Sequence, residues 1–422
     1  MPSVATEKST LVRFVLMLGA FTALGPLTVD LYLPAFPAIS GDLEVAESAV
    51  QLTLTGTLIG FASGQLLVGP LSDTIGRRRP LLMATSLHVA ASIACAVAPT
   101  IEVLGVLRVF QGMAAAAGTV VSLAIVRDSF NGLAAGRLLS RLMLVVGVAP
   151  ILAPSLGGQI LRFTDWRGVF WVLAGFSSLL VVIVVFALRE TLPAQRRRTG
   201  GVRDAGRAYR MVLTDRAFVG LMLTSGLTMA AMFSYISASS FVLQGIYGLS
   251  EQAYGLMFGV NAMGMVIATQ VNGRLIRRVN PQWLMATALV TAIAVASVMV
   301  LGASTGAFGL WGIAVPLFVM LTCVGFIMPN TPVLALYRHE RSAGTAAALI
   351  GAANFGIGAG VAPVLGAFGS GSAVPMAVTM LVAASLAATA FFTLARPRQL
   401  PDLIAEEADR AEAPRVPDGS TH

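Results

Sequence analysis

One carboxylate and one guanidinium stand where the sequence offers them no water. Asp30 is the one acidic residue well inside a long apolar run, and Arg108 is the one basic residue so placed. A charge held in such a run costs several kcal/mol, so by default it marks an ion or substrate pathway. The plainer alternative is a satisfied ion pair that ties two helices together. Asp30 lies about nine residues from one end of its run and Arg108 about five, which at ~1.5 Å per residue is ~14 Å and ~8 Å of depth. Both charges then belong to the same half of the apolar layer and can share a wet cavity if their helices adjoin. A carboxylate withdrawn from water takes up a proton more readily, while a nearby guanidinium favours its ionised form. Moving Arg108 or a cationic molecule relative to Asp30 would switch proton affinity. His88, in a third apolar run, could also carry protons, although polar packing is its simpler reading.

The elements that must hold these groups follow from composition. Of 422 residues 56% are hydrophobic and 11% charged, far from the ~25% charge of water-soluble domains. Charge is confined to islands between apolar runs of roughly 18 to 26 residues, long enough to cross a bilayer. Backbone groups in hydrocarbon must bond to one another, and nothing alternates as a barrel strand would, so the fold class is an all-α membrane protein. Twelve spans are expected: 14–39, 49–68, 81–99, 103–126, 138–161 and 169–188, then 218–247, 253–271, 283–301, 308–328, 343–368 and 374–394. The organisation is a cytoplasmic N-terminus (1–13), a six-helix half (14–188), an Arg-rich linker (189–217), a second six-helix half (218–394) and a disordered tail (395–422). The first run is too long for a signal-peptide core and lacks a small-residue cleavage site.

Basic residues fall on one side. Arg77, Arg78, Arg79, Arg127, Arg137, Arg141, the linker arginines, Arg274, Arg277, Arg278, Arg338 and Arg341 share a face with both termini, against Arg162 and Arg167 opposite. The positive-inside rule makes that face cytoplasmic and explains the net charge of +8 without a nucleic-acid partner. Cys95 and Cys323 lie in apolar spans and read as packed thiols, with no disulfide framework or zinc pattern. The acidic loop with Asp42, Glu44 and Glu47 reads as solvated. The halves echo each other: Gly69 with Arg77, Arg78 and Arg79 after span two has a counterpart in Gly273 with Arg274, Arg277 and Arg278 after span eight. Such internal repeats place a binding site at mid-membrane between the halves.

Residues 69–80 (Gly-Pro-Leu-Ser-Asp-Thr-Ile-Gly-Arg-Arg-Arg-Pro) resemble the loop signature of the major facilitator superfamily. The likeness implies that Asp73 latches the halves, with Gly69, Gly76 and Arg77 in the motif and Arg127 as its partner. Residues 107–112 (Leu-Arg-Val-Phe-Gln-Gly) resemble the span-four motif whose arginine, here Arg108, is associated with proton transfer. Residues 147–158, with Gly147, Pro150, Pro154, Gly157 and Gly158, are similar to the span-five antiporter motif, departing from it at Ala149 and Ala153. A packing kink is the other reading of that segment. Residues 26–37 look like span one of the Bcr/CflA drug:proton antiporters, which implies Asp30 as the acid for which proton and substrate compete.

The resemblance implies proton-coupled export of small lipophilic or antibiotic-like molecules, phenicols, bicyclomycin or sulfonamides among them, by alternating access in a bacterial inner membrane. The partners are then a small-molecule substrate, protons and the bilayer, with a monomer as the expected assembly. Substrate contacts are expected from Asp30, Tyr32, Gln111, Tyr235, Asn261, Asn354 and Phe355. No cofactor or metal is expected, the proton gradient being the energy source. The sole lysine, Lys8, leaves no phosphate-cradling loop for an ATP-driven pump, and no metalloprotease helix, serine elbow or aspartate pair points to an enzyme. A nutrient symporter on the same fold remains the alternative, and a non-transporting sensor a remote one.

Overall fold

The computed structural model describes residues 4–130, 132–197, 201–339, 342–368, 371–402 and 404–405. Arg198, Arg341 and the tail beyond Ala405 lie outside the described residues. The first half comprises α1 (Val4–Asp30), α2 (Phe36–Asp42), α3 (Glu47–Ile75), α4 (Arg78–Ala96), α5 (Ile101–Ser129), α6 (Gly132–Ile160) and α7 (Trp166–Phe186). After a linker helix, α8 (Gly201–Val212), come α9 (Arg216–Ser240), α10 (Glu251–Leu275), α11 (Pro281–Thr305), α12 (Trp311–Arg338), α13 (Ala343–Ala359), α14 (Val361–Phe368) and α15 (Val374–Ala390). Strands are absent among the described residues.

Eleven helical spans among the described residues are long and apolar enough to cross a membrane. The 29-residue α6 is long enough to be the twelfth, since ~43 Å of helix exceeds a hydrocarbon core of ~30 Å. Polar side chains punctuate the ends of these spans. Asp165, Asp215 and Ser250 cap α7, α9 and α10 by accepting the N–H of Arg167, Ala217 and Ala253 at 3.0, 2.9 and 3.2 Å. The linker is not wholly irregular, because Gly201–Val212 forms a helix whose Tyr209 hydroxyl donates to Leu66 O at 3.1 Å.

Span one departs from the expected single helix over 14–39. Regular bonding runs as far as the Leu31 N–H, which donates to Leu27 O at 3.2 Å, and a 3-10 turn at Leu33–Ala35 then leads into α2. Pro34 accounts for the interruption, since a proline disfavours helical geometry in the residue before it and supplies no N–H of its own. Asp30 is therefore the last residue of α1, at a break, and not the middle of a continuous helix.

Within the first half α3 packs on α5, α4 on α5 and α7, and α1 on α5 and α6; in the second, α9 gathers α12, α13 and α15. The halves meet through α6 with α10 and α3 with α13. Their polar links sit away from the arginine-rich face: Ser155 Oγ donates to Gly255 O at 3.1 Å, Gln252 to Gly158 O at 3.2 Å and Thr55 to Ala359 O at 3.1 Å. Phe36 and Phe241 add a ring contact across the same seam at 5.8 Å. On the arginine-rich side the halves instead enclose a cavity of about 850 Å³.

Candidate transport site

The cavity is bounded on its basic side by Asp73, Arg77, Arg127, Asp128, Arg197 and Tyr209, and reaches inward to Gln65, Asn354 and Phe355. Its inner end is an aromatic pair. Phe61 of α3 stacks on Phe355 of α13 with centroids 4.7 Å apart, and Phe61 also lies against Gly25 of α1, about a turn and a half before Asp30. Asp30, Tyr32, Gln111, Tyr235 and Asn261 are all buried and are not among the residues that line the cavity. The seven expected substrate contacts are thus divided, with Asn354 and Phe355 lining the cavity and the other five buried away from its walls.

Asp30 and Arg108 are both buried and on neighbouring helices, and the ion pair that was the plainer alternative is absent among the described contacts. Arg108 Nη2 donates to Thr28 O at 2.9 Å, the next carbonyl after the last regular acceptor of α1, so the guanidinium caps the broken helix. Cationic groups belong at such a carbonyl end. Its Nη1 donates to Gln111 Oε1, and its plane lies 4.0 Å from the centre of the Tyr32 ring. The electrostatic neighbours of Asp30 are the phenols of Tyr235 and Tyr254 in the second half. Tyr235 receives the Asn261 amide N–H at 3.2 Å, and the Tyr254 hydroxyl lies 3.1 Å from Ser239 Oγ. Arg108 meets the Thr28 carbonyl, so its place at the break is set by the main chain of α1, while the Thr28 side chain donates to Leu24 O at 2.6 Å.

His88 packs as a polar core residue, 2.9 Å from Thr28 Oγ1 and 2.6 Å from Ser177 Oγ. The span-five segment also bears on the break. A Cβ at Gly157 would run into the Leu31 carbonyl, so only glycine lets α6 come this close, and a Cβ at Gly158 would stand 3.0 Å from Glu251 O of the other half. Pro150 and Pro154 lie inside α6, and Gly147 faces Val266 of α10.

At the basic face the Asp73 carboxylate pairs with Arg77, not with the expected Arg127. Arg127 lines the cavity nearby, and it is the next residue, Asp128, that completes the cluster by accepting from Arg77 Nε at 2.7 Å. Glu190, after α7, accepts the backbone N–H groups of Arg77 (2.8 Å), Leu192 (3.0 Å), Thr191 (3.1 Å) and Arg78 (3.3 Å). Burial pushes its pKa upward, but those four donors outweigh burial and hold it below the ordinary carboxylate value. Gly76, at φ +96°, makes the turn, and a Cβ there would collide with Glu190. Gly69 stands clear, with Val120 at 3.9 Å from a built Cβ. Asp128 and Glu190 escaped sequence reasoning because each sits beside an arginine at a span end and reads as part of a topological charge island. At the opposite face Asp42 is not simply solvated: it accepts from Arg167 at 2.7 Å and from the Trp166 indole at 3.0 Å.

A bundle of membrane-crossing helices in two halves, with a buried acid at their junction and a cavity reaching toward it from one face, defines a membrane transporter. Residues 14–363 match the Major Facilitator Superfamily, and the chain belongs to that family, whose members are transporters and not enzymes. It is 37% identical over 384 residues to the uncharacterized MFS-type transporter YdgK of Bacillus subtilis, covering 90% of this chain and 95% of that one. It is 30% identical over 388 residues to a bicyclomycin resistance protein homolog of Haemophilus influenzae, covering 92% and 97%. Among solved structures, a bacterial homolog of the human lysosomal transporter Spinster superposes with a TM-score of 0.70 at 15% identity, covering 94% of this chain and 98% of that one. A D-xylose-proton symporter superposes at 0.67 and 15%, covering 90% and 97%. The fold expected from the loop signature is the one found.

Proposed function

We propose that this protein exports small, lipophilic, drug-like molecules in exchange for protons, by alternating access, as a monomer in a bacterial inner membrane with its termini and basic face toward the cytoplasm. The observation that carries the reading is Asp30: a buried acid at a helix break, in a bundle whose halves enclose a cavity on the arginine-rich side. The cavity, about 850 Å³, is within the range that drug-sized ligands occupy. The relative named for bicyclomycin resistance supports the cargo class.

In this reading cargo enters from the cytoplasm, meets Asn354 and Phe355, and parts the Phe61–Phe355 stack to reach Asp30, Tyr235 and Asn261. Competition between cargo and proton at Asp30 then couples the two fluxes, while the Asp73–Arg77–Asp128 cluster and Arg127 latch the cytoplasmic side. Liposomes with an imposed pH gradient, loaded in turn with bicyclomycin, a phenicol and a sulfonamide, test this directly. Gradient-driven movement of cargo against the proton flow is expected, and Asp30→Asn should abolish it while the protein remains folded. Undiminished exchange in that variant would overturn the assignment of Asp30. Co-movement of cargo with protons would replace export by symport.

A further inference from the structure

The polar groups around His88 form a closed circuit. The His88 Nε2 meets Thr28 Oγ1 at 2.9 Å, and Nδ1 meets Ser92 Oγ at 3.2 Å and Ser177 Oγ at 2.6 Å. Gln111 Nε2 donates to Ser92 Oγ at 2.7 Å, Gln111 Oε1 accepts from Arg108, and Arg108 returns to the Thr28 carbonyl at 2.9 Å. All these side chains are fully buried and belong to α1, α4, α5 and α7.

The Thr28 hydroxyl donates to Leu24 O at 2.6 Å, so toward His88 it accepts and Nε2 carries a hydrogen. Two hydroxyls share Nδ1, and Ser177, the nearer, also donates to Leu173 O at 2.7 Å. The imidazole thus joins the Thr28 side chain at one end and, through Ser92, the Gln111 amide at the other. Gln111 holds Arg108 with its side chain, and Thr28 holds it with its carbonyl. The charged group facing His88 is Arg108 of α5, with Ser177 from α7 and Thr28 from α1; those facing Asp30 are Tyr235 of α9 and Tyr254 of α10. Arg108 Nε is buried without an acceptor, so the guanidinium has a hydrogen-bonding direction left over in this arrangement.

We propose that His88 is a positioning residue which, through Thr28 and through Ser92 and Gln111, keeps Arg108 on the carbonyl end of α1 and off the Asp30 carboxylate. The inference rests on Asp30 being the coupling acid. A guanidinium released from Thr28 O has Asp30 two residues away, and a cation within about 4–6 Å of a carboxylate favours its ionised form by about 1–3 pH units.

The test is carbodiimide modification of Asp30, which requires the protonated acid. It is followed by peptide mass spectrometry on the full chain in nanodiscs across about pH 5 to 9, with pH-driven flux measured in parallel. His88→Phe should lower the labelling midpoint by about one pH unit or more. His88→Gln, which keeps one donor and one acceptor, should bring it back, and the shift should vanish when Arg108→Gln is added. An unchanged midpoint in folded His88→Phe, a shift that survives Arg108→Gln, or a wild type whose Asp30 labels at no pH would overturn the proposal. If His88→Phe does not fold, Ser92→Ala cuts the same circuit by a single hydroxyl and carries the same expectation and the same refutation. A labelling shift without coupled flux in the wild type would sink the transport reading and keep the circuit, whereas coupled flux without a shift would sink the circuit alone.

Discussion

The loop after span two and the loop after span eight carry similar runs of arginine, yet the protein uses them differently. In the first, Arg77 is held by Asp73, Asp128 and Ser72, its backbone is gripped by Glu190, and a left-handed Gly76 makes the fit possible. In the second, Arg274, Arg277 and Arg278 are exposed, and nothing lies within 4 Å of a Cβ built on Gly273. Residues 269–280, which carry this loop, contain no acid. Instead Asn272 and Asn330 exchange amide hydrogen bonds at 3.2 and 2.7 Å, linking α10 to α12 without charge. Its ion cluster lies elsewhere, where Asp215 at the start of α9 accepts from Arg338 at 2.9 Å and His339 at 3.1 Å. Positive charge alone orients a membrane protein, whereas charge with buried acceptors also ties helices together. The repeat has kept the first property twice and the second once at this position.

Removing a guanidinium from each loop should separate the two properties most widely. Arg77→Gln takes a guanidinium away from Asp73 and Asp128 and should cost about 2–3 kcal/mol, read as a clear drop in the unfolding temperature in detergent. Arg278→Gln should stay within about 0.5 kcal/mol of wild type. Equal effects would erase the contrast. Backbone geometry gives the next largest difference: Gly76→Ala should lose about 1–3 kcal/mol at its positive φ, while Gly273→Ala, in an open helical position, should gain up to ~1 kcal/mol in the same assay.

The smallest effect is on pH dependence. Because the folded pKa of Glu190 lies below its ordinary value of 4.5, its contribution is present above pH 4.5 and is lost as pH falls through the lower folded value. The stability of Glu190→Gln should therefore fall less steeply than that of wild type below that pH. A parallel fall in both would show that the Glu190 bonds carry no net stabilisation. Asp215 obeys the same sign below its ordinary 3.8: burial raises its pKa, and the bond and charge of Arg338 together with the N–H groups of Ala217 and Phe218 more than reverse that.

Apolar run length and one-sided arginine made the bundle legible from the sequence, and the unlikely place of Asp30 and Arg108 inside such runs marked the site. Depth along a helix could be counted, but direction around it could not. The count put Asp30 and Arg108 in the same half of the apolar layer, but it could not show that Arg108 bonds the Thr28 carbonyl. The break was foreshadowed by Pro34, inside the expected span 14–39, but an unbroken hydrophobic run conceals a change of backbone path. Asn354 and Phe355 were found as polar and aromatic residues in an apolar span, yet nothing local to them distinguishes residues that line the cavity from Tyr235 and Asn261, which are buried away from its walls. The His88 circuit needed four helices brought together, none of whose small hydroxyl residues is unusual alone.

The stacked rings of Phe61 and Phe355 come one from each half of the molecule. Under the proposed alternating access they would act as a clasp and not as a lid: a tilt that parts the halves would part the rings, with no separate flap to swing. Access to Asp30 would then be tied mechanically to the large-scale motion.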